Sequence, residues 1–249
     1  MTTAKKPTLE QRVAARFRLD VAKHQLTVLH DDGLYRHLRC LAPGDSSHWF
    51  DLITWPGTLT IKGDMGSYTF SRTQDMLDFF RRSAWGGGPN LQYWEEKLDA
   101  ADRHAGVREY SEELLRQHIA DDLAALAESG DVTADYLAGL HEELDDELLG
   151  ELPTWCIEDE GEALAGVRQF EYRPGREEPF TFESTEWDVR DWAWHYVWCC
   201  HAIIWGIAAY DRAKAGKPAP ALTAAATTEP DSQQEPVLVA AGATEETSR

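Results

Sequence analysis

The sequence predicts an α+β fold: an N-terminal antiparallel β-meander packed with helices, an acidic helical pair, a Trp-rich C-terminal core helix and a disordered tail. Three observations lead there. Between residues 48 and 71, three short β-rich runs are cut by Pro56-Gly57 and by Gly63-Asp64-Met65-Gly66, clusters that favour tight turns. In an acidic stretch, Leu114, Leu115, Ile119, Leu123 and Leu126, and then Tyr136, Leu137, Leu140, Leu144 and Leu148, recur at helical spacing. Residues 192–210 contain no Asp, Glu, Lys or Arg and carry Trp192, Trp194, Trp198 and Trp205.

In chain order, residues 9–23 read as an amphipathic helix, with Val13, Phe17 and Val21 on one face and Arg12, Arg16 and Arg18 elsewhere. So thin a stripe implies weak packing. Strands are expected at 26–30 and 34–41 around Asp31-Asp32-Gly33, followed by Pro43-Gly44-Asp45 and the runs 48–54, 58–62 and 67–71. Leu59 and Ile61 alternate with Thr58, Thr60 and Lys62, as Tyr68 and Phe70 do with Ser67, Thr69 and Ser71, which is the pattern of a sheet with one buried face. Thr73 is placed to cap a helix over 73–82, whose Met76, Leu77, Phe79 and Phe80 would cover that face.

Gly86-Gly87-Gly88-Pro89 is the clearest breaker. Beyond it, helices are expected at 91–101, 111–128 and 133–149, the last two joined by Ser129-Gly130-Asp131. Past Pro153, alternation of Phe170, Tyr172, Phe180 and Phe182 about Pro174-Gly175 points to a hairpin added to the sheet. Thr185 and Asp188 would open the Trp-rich helix, and Arg212, Lys214 and Gly216 would close it. The expected organisation is a flexible stretch 1–8, one domain over 9–214 and a tail over 215–249. Within the domain, subregions 9–85, 90–165 and 166–214 would share a common core through the last helix. In the tail, Pro218, Pro220, Pro230 and Pro236 lie scattered among Ala, Thr, Gln and Glu, with no periodic apolar face.

The chain has 249 residues and a net charge of −20, distributed unevenly. Residues 1–82 hold 12 Lys/Arg against 9 Asp/Glu, whereas residues 99–165 hold 20 Asp/Glu against Arg103, Arg108 and Arg116 alone, a net of −17. That polarity disfavours direct nucleic-acid binding, although Arg36, His37, Arg39, Lys62, Arg72, Arg81 and Arg82 give the sheet a modest basic side. The start of the chain lacks the apolar stretch of a signal peptide, and Cys40, Cys156, Cys199 and Cys200 form no disulfide framework, so reduced thiols and a cytoplasmic setting are expected. A bilayer span needs about 20 apolar residues, and the uncharged run 192–210 approaches that length. Its His195, His201 and central tryptophans instead read as a buried helix, with no membrane partner.

The strings WFDLITWPGTLTIKGDMGSYTFSR and DMLDFFRR over residues 49–82 carry aromatic-Phe-Asp, Thr-Trp-Pro-Gly, Gly-Asp-Met-Gly and Asp-Met-x-x-Phe-Phe-Arg patterns. With Tyr93-Trp94-x-x-Lys97-Leu98, Glu186-Trp187-Asp188, Trp198-Cys199-Cys200 and Ile204-Trp205-Gly206-Ile207, they resemble a family of uncharacterised bacteriophage and prophage proteins over most of residues 26–212. The resemblance implies a mobile-element origin and carries over no catalytic residue.

Candidate chemistry is sparse. Asp31, Asp32 and Asp64 occupy expected turns, where Asp and Gly are ordinary turn residues, and Asp51 sits inside a strand, where it needs solvent or a partner such as Arg36, Arg39 or Arg72. His195 and Cys199, four apart on one helix, could begin a metal site that Cys156 or another histidine completes, but such two-residue coincidences are common and no second ligand pair stands near in sequence, so a core histidine and buried thiols are the reading and neither metal nor cofactor is expected. No phosphate loop, nucleophile elbow or His-Glu-x-x-His helix is present.

The sharper expectation is a non-catalytic interaction protein whose acidic helices display Asp121, Asp122, Glu142, Glu143, Asp145, Asp146 and Glu147. Such a face would meet a host or phage protein with a basic surface, in the manner of a nucleic-acid mimic. The alternative is a small-ligand site or enzyme built from the carboxylates at the sheet turns, with Trp55 or Trp85 nearby.

Overall fold

The computed structural model describes residues 6–84, 88–150, 155–175, 178–182 and 187–217. Trp85, Gly86-Gly87, Pro153, Thr185 and nearly all of the expected tail lie outside them. The fold is α+β. Six antiparallel strands pair in sequence order: β1 (Gln25–Asp32), β2 (Tyr35–Leu41), β3 (Phe50–Trp55), β4 (Thr58–Gly63), β5 (Gly66–Ser71) and β6 (Leu98–Ala100).

Alternation decides the two faces of this sheet. Leu38, Cys40, Phe50, Leu52, Leu59, Ile61, Tyr68 and Phe70 are buried in one core with α1 (Leu9–Asp20), α2 (Met76–Ser83) and α7 (Trp194–Lys214). Helix α7 rests across β1, β2, β3 and β5. Its close approach needs Gly206, where an added Cβ would lie 2.7 Å from Leu52 Cδ1. The opposite face presents Tyr35, His37, Arg39, Ile53, Trp55, Thr58, Thr60 and Lys62, half-buried or exposed, with Asp51 the buried exception.

A second core lies elsewhere. Leu115, Ile119 and Leu123 of α4 (Glu112–Ser129) pack with Leu140 and Leu144 of α5 (Ala134–Leu144), Leu148 of a π-helical turn (Asp145–Leu149), and Ala163 and Val167 of α6 (Glu160–Gln169). Ser111 and Thr133 cap the acidic pair as helix starts require, and Gly130, at φ 73°, supplies the left-handed residue that ends α4. The expected common core is thereby corrected, because α7 belongs wholly to the first cluster and is absent from the second.

Five local expectations change as well. Residues 91–101 split into a short helix, α3 (Leu91–Glu95), and strand β6, because Leu98 pairs with Phe70 and so completes the sheet face instead of a helical stripe. Helix α2 is capped by Asp75, whose carboxylate accepts from the Leu77 and Asp78 N–H groups, while the Thr73 hydroxyl donates to the Asp75 carbonyl. Tyr172 and Phe180 do pair, through bonds of 3.0 and 2.8 Å, but inside the second core and not on the sheet. Asp188 accepts from the Arg190 N–H just ahead of β8 (Arg190–Trp192), which pairs with β7 (Arg108–Tyr110), so α7 starts later, after Ala193. Finally, α1 does not pack weakly: Val13, Phe17 and Val21 are all buried, and Phe17 meets Trp198 edge to face at 5.1 Å.

Candidate functional site

The four candidate carboxylates do not converge. In a meander the β1–β2 turn and Pro56-Gly57 lie at one end of the sheet, and the Gly63–Gly66 turn lies at the other. Asp31 and Asp32 are paired strand residues beside the first turn, opposite Arg36 and Tyr35. Asp31 has a structural task there: it accepts from Tyr210 Oη at 2.9 Å and from Lys214 Nζ at 2.8 Å, tying the end of α7 to β1. Those bonds, Lys214 first, hold its pKa below the ordinary carboxylate value. At the far end, Asp64 accepts from the N–H of His48, which holds the left-handed φ of 58° unusual for a residue with a side chain. A single carboxylate site at the sheet turns is thus not what the chain builds, and Trp85 lies outside the described residues.

Asp51 is the most constrained of the four. Its side chain is 6% exposed, accepts from Arg39 Nε and Nη2 at 2.8 Å each, and is 2.9 Å from His37 Nε2. Burial pushes its pKa up, but the hydrogen bonds from Arg39 and His37 outweigh this and leave it lowered. Of the three expected partners only Arg39 is found. Arg36 lies on the other face and forks onto Asp75 at 3.1 and 2.9 Å. Arg81 and Arg82 likewise meet Asp211 and Asp78, so most of the sheet's basic side is neutralised internally.

A cleft of about 690 Å³ opens where the two cores meet, lined among others by Asp64, Asp102, His104, Glu109, Glu160 and His195. Sequence reasoning singled out only Asp64 and His195, because the others come from β7, α6 and an intervening loop that only topology brings together. Most of its charges are engaged. Asp102 accepts from the N–H groups of Ser67, His104 and Ala105, and Glu109 accepts from Trp194 N, serving the start of α7, which has no side-chain cap of its own. Arg190 forks onto Glu160, and Arg108 lies 3.4 Å over the Trp192 ring while pairing with Glu95.

His195 and Cys199 are no metal pair. The Cys199 thiol is buried, its pKa raised by that burial, and it donates to the Met65 carbonyl. Among the described residues no group of three or more His, Cys, Asp or Glu side chains is placed to hold a metal ion, and no helix is long and apolar enough to cross a membrane.

The acidic pair is different in kind. Asp121, Glu142, Glu143, Asp145 and Asp146 are exposed, while Asp122 and Glu147 are half-buried. Gln117 donates to Asp121 at 2.7 Å, but no salt bridge among the described residues reaches Glu142, Glu143, Asp145 or Asp146. Burial, and then the neighbouring Glu143, raise the pKa of Glu147. Several carboxylates elsewhere meet cations: Asp20 with Arg16, Asp31 with Lys214, Asp75 with Arg36, Glu113 with Lys6 and Glu160 with Arg190.

Neither a family model, nor a curated protein, nor a solved structure matches this chain.

Proposed function

We propose that this chain is a non-catalytic interaction protein of phage type, acting in the host cytoplasm by presenting the acidic face around α5 to a basic surface of a host or phage protein. One observation carries the reading: Glu142, Glu143, Asp145 and Asp146 stand exposed together with no salt bridge to any of them among the described residues, whereas Asp20, Asp31, Asp75 and Glu160 each meet a cation. Like charges held together on a folded surface repel, and a cationic partner relieves that repulsion while the same field steers its approach. The carboxylates run from the end of α5 into the π-helical turn and present negative charge to a groove that accepts phosphates, and nucleic-acid mimicry is the form of recognition we propose.

The test is a pull-down from expressing host cells with the wild-type chain and with Glu142→Gln/Glu143→Gln/Asp145→Asn/Asp146→Asn. The wild type should retain a partner that elutes with rising salt, and the neutralised variant should lose it. Retention of the same partner by both, at every salt concentration, would refute the proposal. The cleft supports a second reading as a small-ligand site, since its volume suits a metabolite and His104 and His195 line it beside Asp64. A thermal-shift screen against metabolites, repeated on His195→Ala, checks that reading.

A further inference from the structure

Independently of the acidic face, we infer that the cross-strand pair His30 and His37, with Asp51 behind it, binds a borderline divalent cation such as Zn²⁺, Ni²⁺ or Cu²⁺ on the open face of the sheet. His30 and His37 are direct partners in the antiparallel β1–β2 pairing. Residues so placed share a face with Cβ atoms about 4.5–5.5 Å apart, which lets two imidazoles converge on one ion. A register shift between Val28 and His30 sits immediately beside the pair, and such irregularities redirect the side chain that follows them.

The chemistry of His37 is set by its neighbour. Asp51 accepts two hydrogen bonds from Arg39, and an ionised carboxylate has only acceptors to offer, so His37 Nε2 must carry the proton in its 2.9 Å bond to Asp51 Oδ2. In the neutral ring the other nitrogen, Nδ1, then holds a bare lone pair, and the ring is one-third exposed. This is the carboxylate–histidine arrangement that orients metal-binding imidazoles and makes them better donors. The His30 side chain is exposed and has no hydrogen bond or ion pair among the described residues, which leaves its ring room to turn toward Nδ1 of His37.

Two imidazoles favour zinc, nickel or copper over magnesium or calcium, which prefer oxygen ligands, and they leave the remaining coordination positions to water. The charges facing the pair permit a cation. Arg39 is neutralised by Asp51, Asp32 lies two residues along β1 from His30, and Lys62 stands one strand further away, opposite Asp51.

The experiment is calorimetric titration of ZnSO₄ into the full chain, with urea unfolding in the presence and absence of the ion. The expected result is one equivalent bound and a Zn²⁺-dependent rise in the unfolding midpoint. His30→Gln should abolish both, and Asp51→Asn should weaken binding by about tenfold, the lower end of what loss of a supporting carboxylate costs. Because His30 is exposed, its replacement leaves the fold intact, so this variant decides the question even if substitutions at His37 or Asp51 disturb the sheet. Absence of binding by the wild type would overturn the inference. So would unchanged binding by His30→Gln, which would place the ion on another of the chain's 9 histidines.

Discussion

Acid should weaken this protein through His201, and the size of the effect follows from where that ring lies. His201 sits on α7 against α1, stacked on Phe17 at 5.7 Å. Burial first, and the Arg18 charge second, lower its pKa from 6.5 to about 4. An unfolded chain takes up the proton near pH 6.5, while the folded chain resists it until about pH 4. The stability this residue contributes is therefore complete above pH 6.5 and is lost as the pH falls toward 4. At 1.36 kcal/mol per unit, the shift amounts to about 3 kcal/mol over the whole window and about 2 kcal/mol between pH 7 and pH 5.

His24, whose pKa burial also lowers, adds to the acid response, so the assay is a difference. Urea unfolding of the wild type and of His201→Phe, a change that keeps an aromatic ring against Phe17, is measured at pH 7 and pH 5, above the pI of about 4.7. The variant should gain about 2 kcal/mol on the wild type over that interval. A difference that stays constant with pH would refute the argument.

Gly166 of α6 packs so closely that an added Cβ would lie 2.6 Å from both Leu148 Cδ2 and Trp155 Cγ. Gly166→Ala should therefore lower the urea midpoint by the equivalent of roughly 1–3 kcal/mol, against which the better helix propensity of Ala returns about 1 kcal/mol. Asp75 caps α2 and also holds the mostly buried Arg36. Asp75→Asn keeps the cap and should cost less than Asp75→Ala by about 1 kcal/mol, and equal unfolding free energies would contradict the dual role. Cys156 is exposed whereas Cys40, Cys199 and Cys200 are buried with raised pKa values. A thiol reagent should thus label one cysteine per native chain and four in denaturant; rapid labelling of more than one native thiol would show the core to be looser than described.

Much of the sheet was legible because turn chemistry and alternation agreed: the run expected at 58–62 is strand Thr58–Gly63, and its apolar residues face the core. Short segments were not. Leu91, Trp94 and Leu98 fall at helical spacing, yet only pairing with Phe70 reveals that Leu98 begins a strand. Helix α6 was hard to see because its buried face consists of Ala163, Gly166 and Val167, too weakly apolar to show a period; the available signals were its ends, Asp159 as cap with Glu160 and Glu162 in the first turn and Arg168 in the last. Of the sites, Asp51 was recognisable as a strand carboxylate needing a partner, but choosing Arg39 and His37 required the β2–β3 register. The cleft was not legible, since its walls come from residues as distant as Gly63 and His195.

The position of α7 has a consequence for how the chain is made. Its closing contacts are with the first residues of the domain: Trp198 Nε1 donates to Asp20, and Lys214 reaches Asp31, 183 positions away. On a ribosome the first five strands are complete at Ser71, but their apolar face lacks α7 until Lys214 has been added. At synthesis rates of 5–20 residues per second, that leaves the face without α7 for roughly 7–30 s. The helical core made in the interval folds from contacts within its own stretch of chain. The acidic unit is therefore ready first, and the sheet is sealed last by the helix that arrives after it.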